Sequence, residues 1–358
     1  MRADLALVGF GHVGRRFARL LAENRTRLID ELDLDCSIVG IATARHHSAY
    51  GLAGLDALAA ARLVESGESI QALHDPAAGP MPKNGFDLID RLGASDAPLR
   101  VLVENTVLNI TGGQPAVDHV RRALDAGCHV VTANKGPAAF AYHELQEMAG
   151  ARRASFLFES AVMDGIPVFG LVRETMPLAV VRGFRGVLNS TTNHILTALE
   201  DGEEYAHALA RMQADGIAEA DPSLDVDGWD AAAKAAVLAN VLLGERVTPH
   251  DVRRRGIGPD AAAGARAARR RGRRLRLLAS AARGEVPVVE PVELPEDDLL
   301  AGLRGTANAL VLETDLLGKV AICQLDGSLT QTAYGLLGDL VTIRRRAALP
   351  EARPRRSP

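Results

Sequence analysis

Five carboxylates and one lysine crowd into the stretch from Glu219 to Lys234, EADPSLDVDGWDAAAK, and no other part of the chain is so rich in candidate chemistry. Pro222 and Gly228 mark its first part as loop. The alanine-rich run from Trp229 to about Leu243, stopped by Gly244, has the composition of a helix with Asp227 as its N-cap. Asp230 and Lys234 then lie four residues apart on one face. Taken alone, such a pair reads as an exposed ion pair worth about 0.3 to 0.5 kcal/mol. The Ala, Val and Leu that follow Asp230 argue instead for a buried helix, and a buried lysine needs a partner or a task. Oriented by Asp230, Lys234 has the chemistry of a general acid/base.

A second cluster sits near the N-terminus. The apolar run Asp4 to Val8 ends in Gly9-Phe10-Gly11-His12-Val13-Gly14, and Arg15 to Ala22 then has helical periodicity. In a strand, glycine turn and helix of this kind, Gly9 permits the tight turn, Gly11 lets a pyrophosphate approach the backbone, and Gly14 allows close helix packing. The spacing by itself also suits a purely structural turn. A second apolar strand, Ser37 to Ala42, follows at the distance a βαβ unit requires, which points to dinucleotide binding. Where an acidic residue would hold the ribose of NAD, this chain has Thr43, Ala44 and Arg45. Arg45 is either a ligand for a 2′-phosphate, which favours NADP over NAD, or a solvated loop arginine.

Polar residues gather at two more strand ends. Arg100 to Val103 leads to Glu104-Asn105-Thr106, and His129 to Thr132 leads to Ala133-Asn134-Lys135-Gly136. The C-terminal edge of an open parallel sheet is where ligands bind, so Thr106, Asn134 and Lys135 are placed to face cofactor or substrate. A helix over 138–150 and a strand over Ser155 to Phe158 complete the doubly wound unit. The next loop, Glu159 to Pro167, has a carboxylate and a Gly and Pro turn. It suits either a monovalent cation bound by oxygen ligands or a helix entry capped by the acid. Asn189-Ser190-Thr191-Thr192-Asn193 precedes a helical run and offers caps, or groups able to bind a carboxylate or an amine. Residues 46 to 98 carry little that can be read.

These elements describe an α/β protein: a doubly wound Rossmann nucleotide-binding domain over 1–150 and a second α+β domain over 151–325 that carries the candidate catalytic residues. A C-terminal helix over about 330–345 packs back on the first domain, and 346–358 is a disordered tail. The 358 residues suffice for two cores, and a formal charge of -4 argues against a general nucleic-acid binder. The arginine-rich segment Arg266 to Arg276 reads as a solvated helix face. Cys36, Cys128 and Cys323 are too scattered for a disulfide framework or a zinc site, which fits a reducing cytoplasm. No leader or transmembrane run is read in the sequence, so no membrane association is expected.

In order, the blocks GFGHVG, VVTANK, FESAVMDGIP, GVLNSTTNHILT and AEADPSLDVDGWDAAAK resemble those of the homoserine dehydrogenase family, from the first strand to about residue 345. The resemblance implies NAD(P)-dependent interconversion of aspartate 4-semialdehyde and homoserine. It implies that Lys234 is the acid/base with Asp230 beside it, that Glu219 and Asp225 bind the substrate's amino group, and that Lys135 lies between cofactor and substrate. It also implies a sodium or potassium site at Glu159 with the carbonyls of Val162, Asp164 and Ile166, and a homodimer formed through the second domain's sheet. The chain departs from the family pattern at Ser190, His194, Met163-Asp164, Asp326 to Ser328 and Gln331 to Ala333. Those departures keep open a paralogue acting on a related amino-acid aldehyde or ketone. A dinucleotide-sensing protein without chemistry is disfavoured by the presence of both Lys234 and Asp230.

Overall fold

In the computed structural model, residues 1–214 and 221–348 are described. The first sheet is built from β1 (Arg2–Val8), β2 (Asp35–Ala42), β3 (Ser48–Tyr50), β4 (Leu99–Glu104), β5 (His129–Thr132) and β6 (Phe156–Leu157). Its order is β3-β2-β1-β4-β5-β6, parallel throughout except for β3, which runs antiparallel to β2. β1 is buried along all but its first residue, as an apolar run covered by helices on both faces should be. Helices α1 (His12–Glu23), α2 (Arg25–Leu32), α3 (Ala57–Glu65), α4 (Gly85–Gly93), α5 (Ala116–Asp125), α6 (Lys135–Phe140) and α7 (Tyr142–Ala151) connect these strands. The connection expected as one helix over 138–150 is two, α6 and α7, with a break at Ala141. The first sheet also extends past residue 150, because β6 pairs with β5.

After the short helix α8 (Phe169–Thr175), the chain forms the second unit. Its strands are β7 (Val181–Val187), β8 (Arg253–Arg254), β9 (Arg273–Ala282), β10 (Val288–Pro295), β11 (Asn308–Thr314) and β12 (Lys319–Gln324), in the order β12-β11-β7-β9-β10-β8. Its helices are α9 (Ser190–Glu200), α10 (Tyr205–Ala214), α11 (Ser223–Val226), α12 (Trp229–Leu238) and α13 (Ala261–Arg270). Ala231, Ala232, Ala233, Ala235 and Ala236 of α12 are all buried, and such small side chains let the helix lie close to both α6 and the sheet.

The last helix, α14 (Leu329–Ala347), crosses back to the first unit. Its Ala333, Leu336, Leu337, Leu340 and Ile343 share one apolar core with Leu5 and Leu7 of β1 and Phe17 of α1. It starts at Leu329, one residue before the expected 330, capped by Ser328, and it is still helical at 346 and 347, inside the expected tail. Residues 349–358 of that tail lie outside the described residues.

Two readings of helix ends are corrected. Asp227 does not cap α12: the short helix α11 ends at Asp227, and Gly228, at φ +80°, occupies the N-cap position with no side-chain cap. The arginine-rich run is not one solvated helix face either. Gly272, at φ +68°, separates α13 from β9, and Arg276 is wholly buried in a salt bridge to Glu200 at 2.6 Å. No helix among the described residues is long and apolar enough to cross a membrane.

Candidate active site

The strand order reverses between β1 and β4, and the crevice at their C-terminal ends is where an open α/β sheet binds its ligand. The glycine turn enters it. Gly9 has φ +89°, and a Cβ added there would stand 2.5 Å from the carbonyl carbon and oxygen of Asn105, so β1 and β4 close on each other only with glycine at this point. A Cβ at Gly11 would meet nothing within 4 Å, and Gly11 caps α1 without any side-chain hydrogen bond. Open space therefore lies beside the unclaimed N–H groups of His12, Val13 and Gly14, an arrangement suited to phosphate. Those residues fit a dinucleotide. Arg45 is exposed in the turn after β2. The adjacent histidines are tied down, His46 Nδ1 to the carbonyl of Glu68 at 2.9 Å and His47 Nδ1 to Ser69 Oγ at 3.1 Å.

The ends of β4 and β5 form a polar network that the sequence did not reveal. Glu104, fully buried, accepts the hydroxyl of Thr106, while Thr132 Oγ1 donates to the Glu104 carbonyl at 2.7 Å. Asn134 donates to the Thr106 carbonyl at 3.0 Å, and its side-chain oxygen accepts the Gly136 N–H at 2.8 Å. Asn134 thereby caps α6, and Lys135 is the first residue of that helix rather than part of a turn. The signal available beforehand was an acid ending an otherwise apolar strand.

From α6 the Lys135 ammonium reaches across to the second unit. It lies 3.1 Å from Asp230 Oδ1, and Lys234 Nζ lies 3.0 Å from Asp230 Oδ2. Side-chain exposures of 17% for Asp230 and 14% for Lys234 rule out the exposed surface pair. Burial opposes the charge on Asp230, but Lys135, Lys234 and Asn189 outweigh it and hold the carboxyl below the usual carboxylate range. Burial likewise opposes the charge on Lys135, yet Asp230, with Asp164 and Asp225, holds the ammonium above its ordinary value. Lys234 also donates to the carbonyl of Leu188 at the end of β7. Asp225 stands beside this group on α11, its carboxyl pushed up by burial and by the charge of Asp230. Lys135, Asp225, Asp230 and Lys234 are thus brought together, whereas Glu219 lies outside the described residues.

Glu159 is occupied otherwise. Its Oε1 accepts the N–H groups of Val168 at 2.6 Å and Phe169 at 2.8 Å, and its Oε2 that of Gly170 at 2.7 Å, closing the start of α8. Asp164 accepts from Gln324 at 2.6 Å and from Thr332 at 3.0 Å. Gln324 in turn meets Gln331 at 2.9 Å and Asn308 at 3.2 Å, and Asn308 donates to Ser190 Oγ at 2.8 Å. The departures at Asp164, Ser190, Gln331 and Thr332 are therefore one connected network rather than four independent changes. Among the described residues, no three His, Cys, Asp or Glu side chains cluster as a metal site.

A doubly wound sheet with a phosphate-accepting glycine turn and, facing its crevice, two lysines sharing one aspartate has the parts that an NAD(P)-dependent oxidoreductase acting on a CH–OH group needs: a dinucleotide site and a proton donor. Sequence profiles identify the family. The profile described as homoserine dehydrogenase matches residues 167–341, and that of the homoserine dehydrogenase NAD binding domain matches residues 9–159. An NAD(+)-dependent homoserine dehydrogenase of Pseudomonas canavaninivorans is 37% identical, with 96% of each chain covered. The homoserine dehydrogenase of Methanocaldococcus jannaschii is 34% identical, over 95% of this chain and 98% of its own. A hyperthermophilic archaeal homoserine dehydrogenase in complex with NADPH superposes with a TM-score of 0.77 at 29% identity, over 97% of this chain and 98% of its own. The chain belongs to the homoserine dehydrogenase family.

Proposed function

We propose that this protein is an NAD(P)-dependent homoserine dehydrogenase that interconverts aspartate 4-semialdehyde and homoserine, with Lys234 as the proton donor and acceptor. The observation that carries the reading is the clasp of Asp230 between Lys135, at the edge of the nucleotide crevice, and Lys234, on the second unit. Bound NAD(P)H supplies the hydride. Lys234 has three N–H donors, and Asp230 and the Leu188 carbonyl take two of them. The third is left for the aldehyde oxygen, to which Lys234 gives its proton as the carbonyl is reduced; in the reverse direction the neutral amine takes the hydroxyl proton of homoserine. Asp230 keeps Lys234 oriented. Asp225 and Glu219 hold the substrate's ammonium group, and Lys135 stands between cofactor and substrate.

Gly9, Gly11, His12, Val13 and Gly14 cradle the pyrophosphate, and Thr106 with Lys135 lines the nicotinamide end. Arg45, with no acidic residue beside it, supports NADP as the preferred coenzyme. A carboxylate already accepting three N–H groups is a poor cation ligand. Any sodium or potassium in the Glu159 loop would therefore rest mainly on the carbonyls of Val162, Asp164 and Ile166, a nearly neutral oxygen set that suits a monovalent ion. Its contribution would be to hold the loop. A homodimer through the second sheet, in a cytoplasmic setting, completes the reading. Exposed Leu316, Leu317 and Leu325 on the β11–β12 side support the dimer.

Initial rates with aspartate 4-semialdehyde and either NADPH or NADH, with and without sodium or potassium chloride, test this function. Oxidation of NADPH that does not depend on the semialdehyde would rule it out.

A further inference from the structure

A single amide stands between the two carboxylates of the site. Asn189 Nδ2 donates to Asp225 Oδ1 at 2.7 Å and to Asp230 Oδ2 at 3.0 Å, so each of its two hydrogens has its own acceptor. At its other end, Asn189 Oδ1 accepts the Thr192 N–H and the Thr192 hydroxyl, both at 2.8 Å. The cap at the start of α9 requires an oxygen, which leaves only one orientation for the amide and turns its NH2 group toward the acids. Asn189 is 4% exposed, so water does not compete for these bonds.

Among the described residues, the charged groups of this corner are Asp225 from α11, Asp230 and Lys234 from α12, and Lys135 from α6, on which Asp164 also acts. Burial and the nearby Asp230 favour the neutral form of Asp225, and the hydrogen bonds from Asn189 and Thr191 work the other way, toward the carboxylate an ammonium ligand needs. The ammonium and the aldehyde oxygen of a four-carbon amino-acid aldehyde are a fixed few bonds apart. The carboxylate that holds the one and the lysine that protonates the other must therefore keep a set separation.

We propose that Asn189 is a positioning residue for the reaction, tying Asp225 to the Asp230–Lys234 pair so that the ammonium group and the carbonyl of one substrate are met in register. The inference rests on the homoserine dehydrogenase reading of Asp225 and Lys234. It assigns to one side chain both the start of α9 and the spacing of the substrate site.

Asn189→Asp and Asn189→Ser separate those two roles. Both replacements cap a helix about as well as asparagine, so the start of α9 is kept, and both lose the NH2 donors. In Asn189→Asp a third carboxyl faces Asp225 and Asp230. With aspartate 4-semialdehyde and NADPH, its kcat/KM should fall about a hundredfold or more near pH 8, with KM raised as well as kcat lowered. It should recover several-fold near pH 6, where the new carboxyl binds a proton and regains a donor. Asn189→Ser should lose at least about tenfold at every pH, the scale of even one lost hydrogen bond to a charged group. A purely structural role would instead give losses that follow thermal stability and leave the shape of the pH profile unchanged. The inference is overturned if Asn189→Asp stays within about threefold of the parent, or if its profile runs parallel to the parent's. Should Asn189→Asp fail to fold, Asn189→Ser decides: parent-like kcat/KM overturns the inference and the tenfold loss supports it. A parent that leaves the semialdehyde unreduced refutes the assigned function and this inference with it; an active parent with unaffected variants refutes only the role of Asn189.

Discussion

Asp230→Asn removes one charge and almost no volume, and its consequence can be worked from the clasp. In the parent, the Asp230 carboxylate lies 3.1 Å from the Lys135 ammonium and 3.0 Å from that of Lys234, in a crevice where all three side chains are mostly buried. With the carboxylate replaced by an amide, two ammonium groups share that crevice with only the weaker influence of Asp225 and Asp164 to offset them, and the least costly relief is for one to give up its proton. Removing a proton from a lysine of ordinary pKa 10.5 at pH 7.5 spans three pH units, about 4 kcal/mol at 1.36 kcal/mol per unit. That lies within the roughly 3 to 5 kcal/mol lost when one partner of a buried ion pair is removed.

The cost shrinks as the solution becomes more basic, by about 1.4 kcal/mol per pH unit. The sign follows from the proton count. In the variant, the folded state holds fewer protons than the unfolded chain, because the lysine is depressed below its unfolded value, so stability rises with pH until that value is reached. In the parent, Asp230 holds Lys135 above its ordinary value, so that contribution is complete below 10.5 and is lost only as pH climbs through the folded pKa. Urea unfolding of parent and variant at pH 7.5, 8.5 and 9.5 should show a deficit falling from about 4 to about 1.4 kcal/mol. A deficit that stays constant over this range would refute the idea that Asp230 is what lets Lys135 and Lys234 share the crevice.

Lys234→Ala should lower kcat about a hundredfold or more while NADPH binding, followed by fluorescence titration, stays at the parent level; near-normal turnover would remove Lys234 from the acid/base role. Gly9→Ala would drive a Cβ to 2.5 Å from the Asn105 backbone at a φ of +89°, so NADPH affinity should fall at least about tenfold, or about 1.4 kcal/mol, in the same titration. Arg45→Ala should raise KM for NADPH about tenfold, the scale of a lost hydrogen bond to a charged group, and leave KM for NADH unchanged; equal effects on the two coenzymes would place Arg45 away from the 2′-phosphate.

What was legible in the sequence was local. β1, the glycine turn and α1 can be read because apolar periodicity and glycine chemistry act within a few residues, and Gly244, at φ +76°, stops the α12 segment where a glycine should. The failures were of longer range. Asp227 looked like a cap because nothing nearby announced that α11 would end on it and leave the turn to Gly228. Arg276 looked solvated because its partner, Glu200, is 76 positions away in the chain. Asn189 was read as a cap or a ligand site, and it is a cap. The acids its NH2 group meets come from residues 36 and 41 positions further on, which no local rule can supply.

The same limit explains the feature of the site that spacing could least anticipate. Asp230 and Lys234 were paired from the sequence because they stand one helical turn apart, yet Asp230 also belongs to Lys135, which the first unit carries. That sharing depends on α12 lying directly against α6. The buried alanines of α12 make the approach close. Bulk added at this contact would push the two units apart and lengthen the Lys135–Asp230 bridge, while the helical pair Asp230–Lys234 stayed intact. A carboxylate left with one lysine would still orient the proton donor, but it would no longer tie that donor to the nucleotide crevice. Chemistry at this site is therefore a property of the contact between the units, and the run of small residues in α12 is as necessary to it as the charged residues the helix carries.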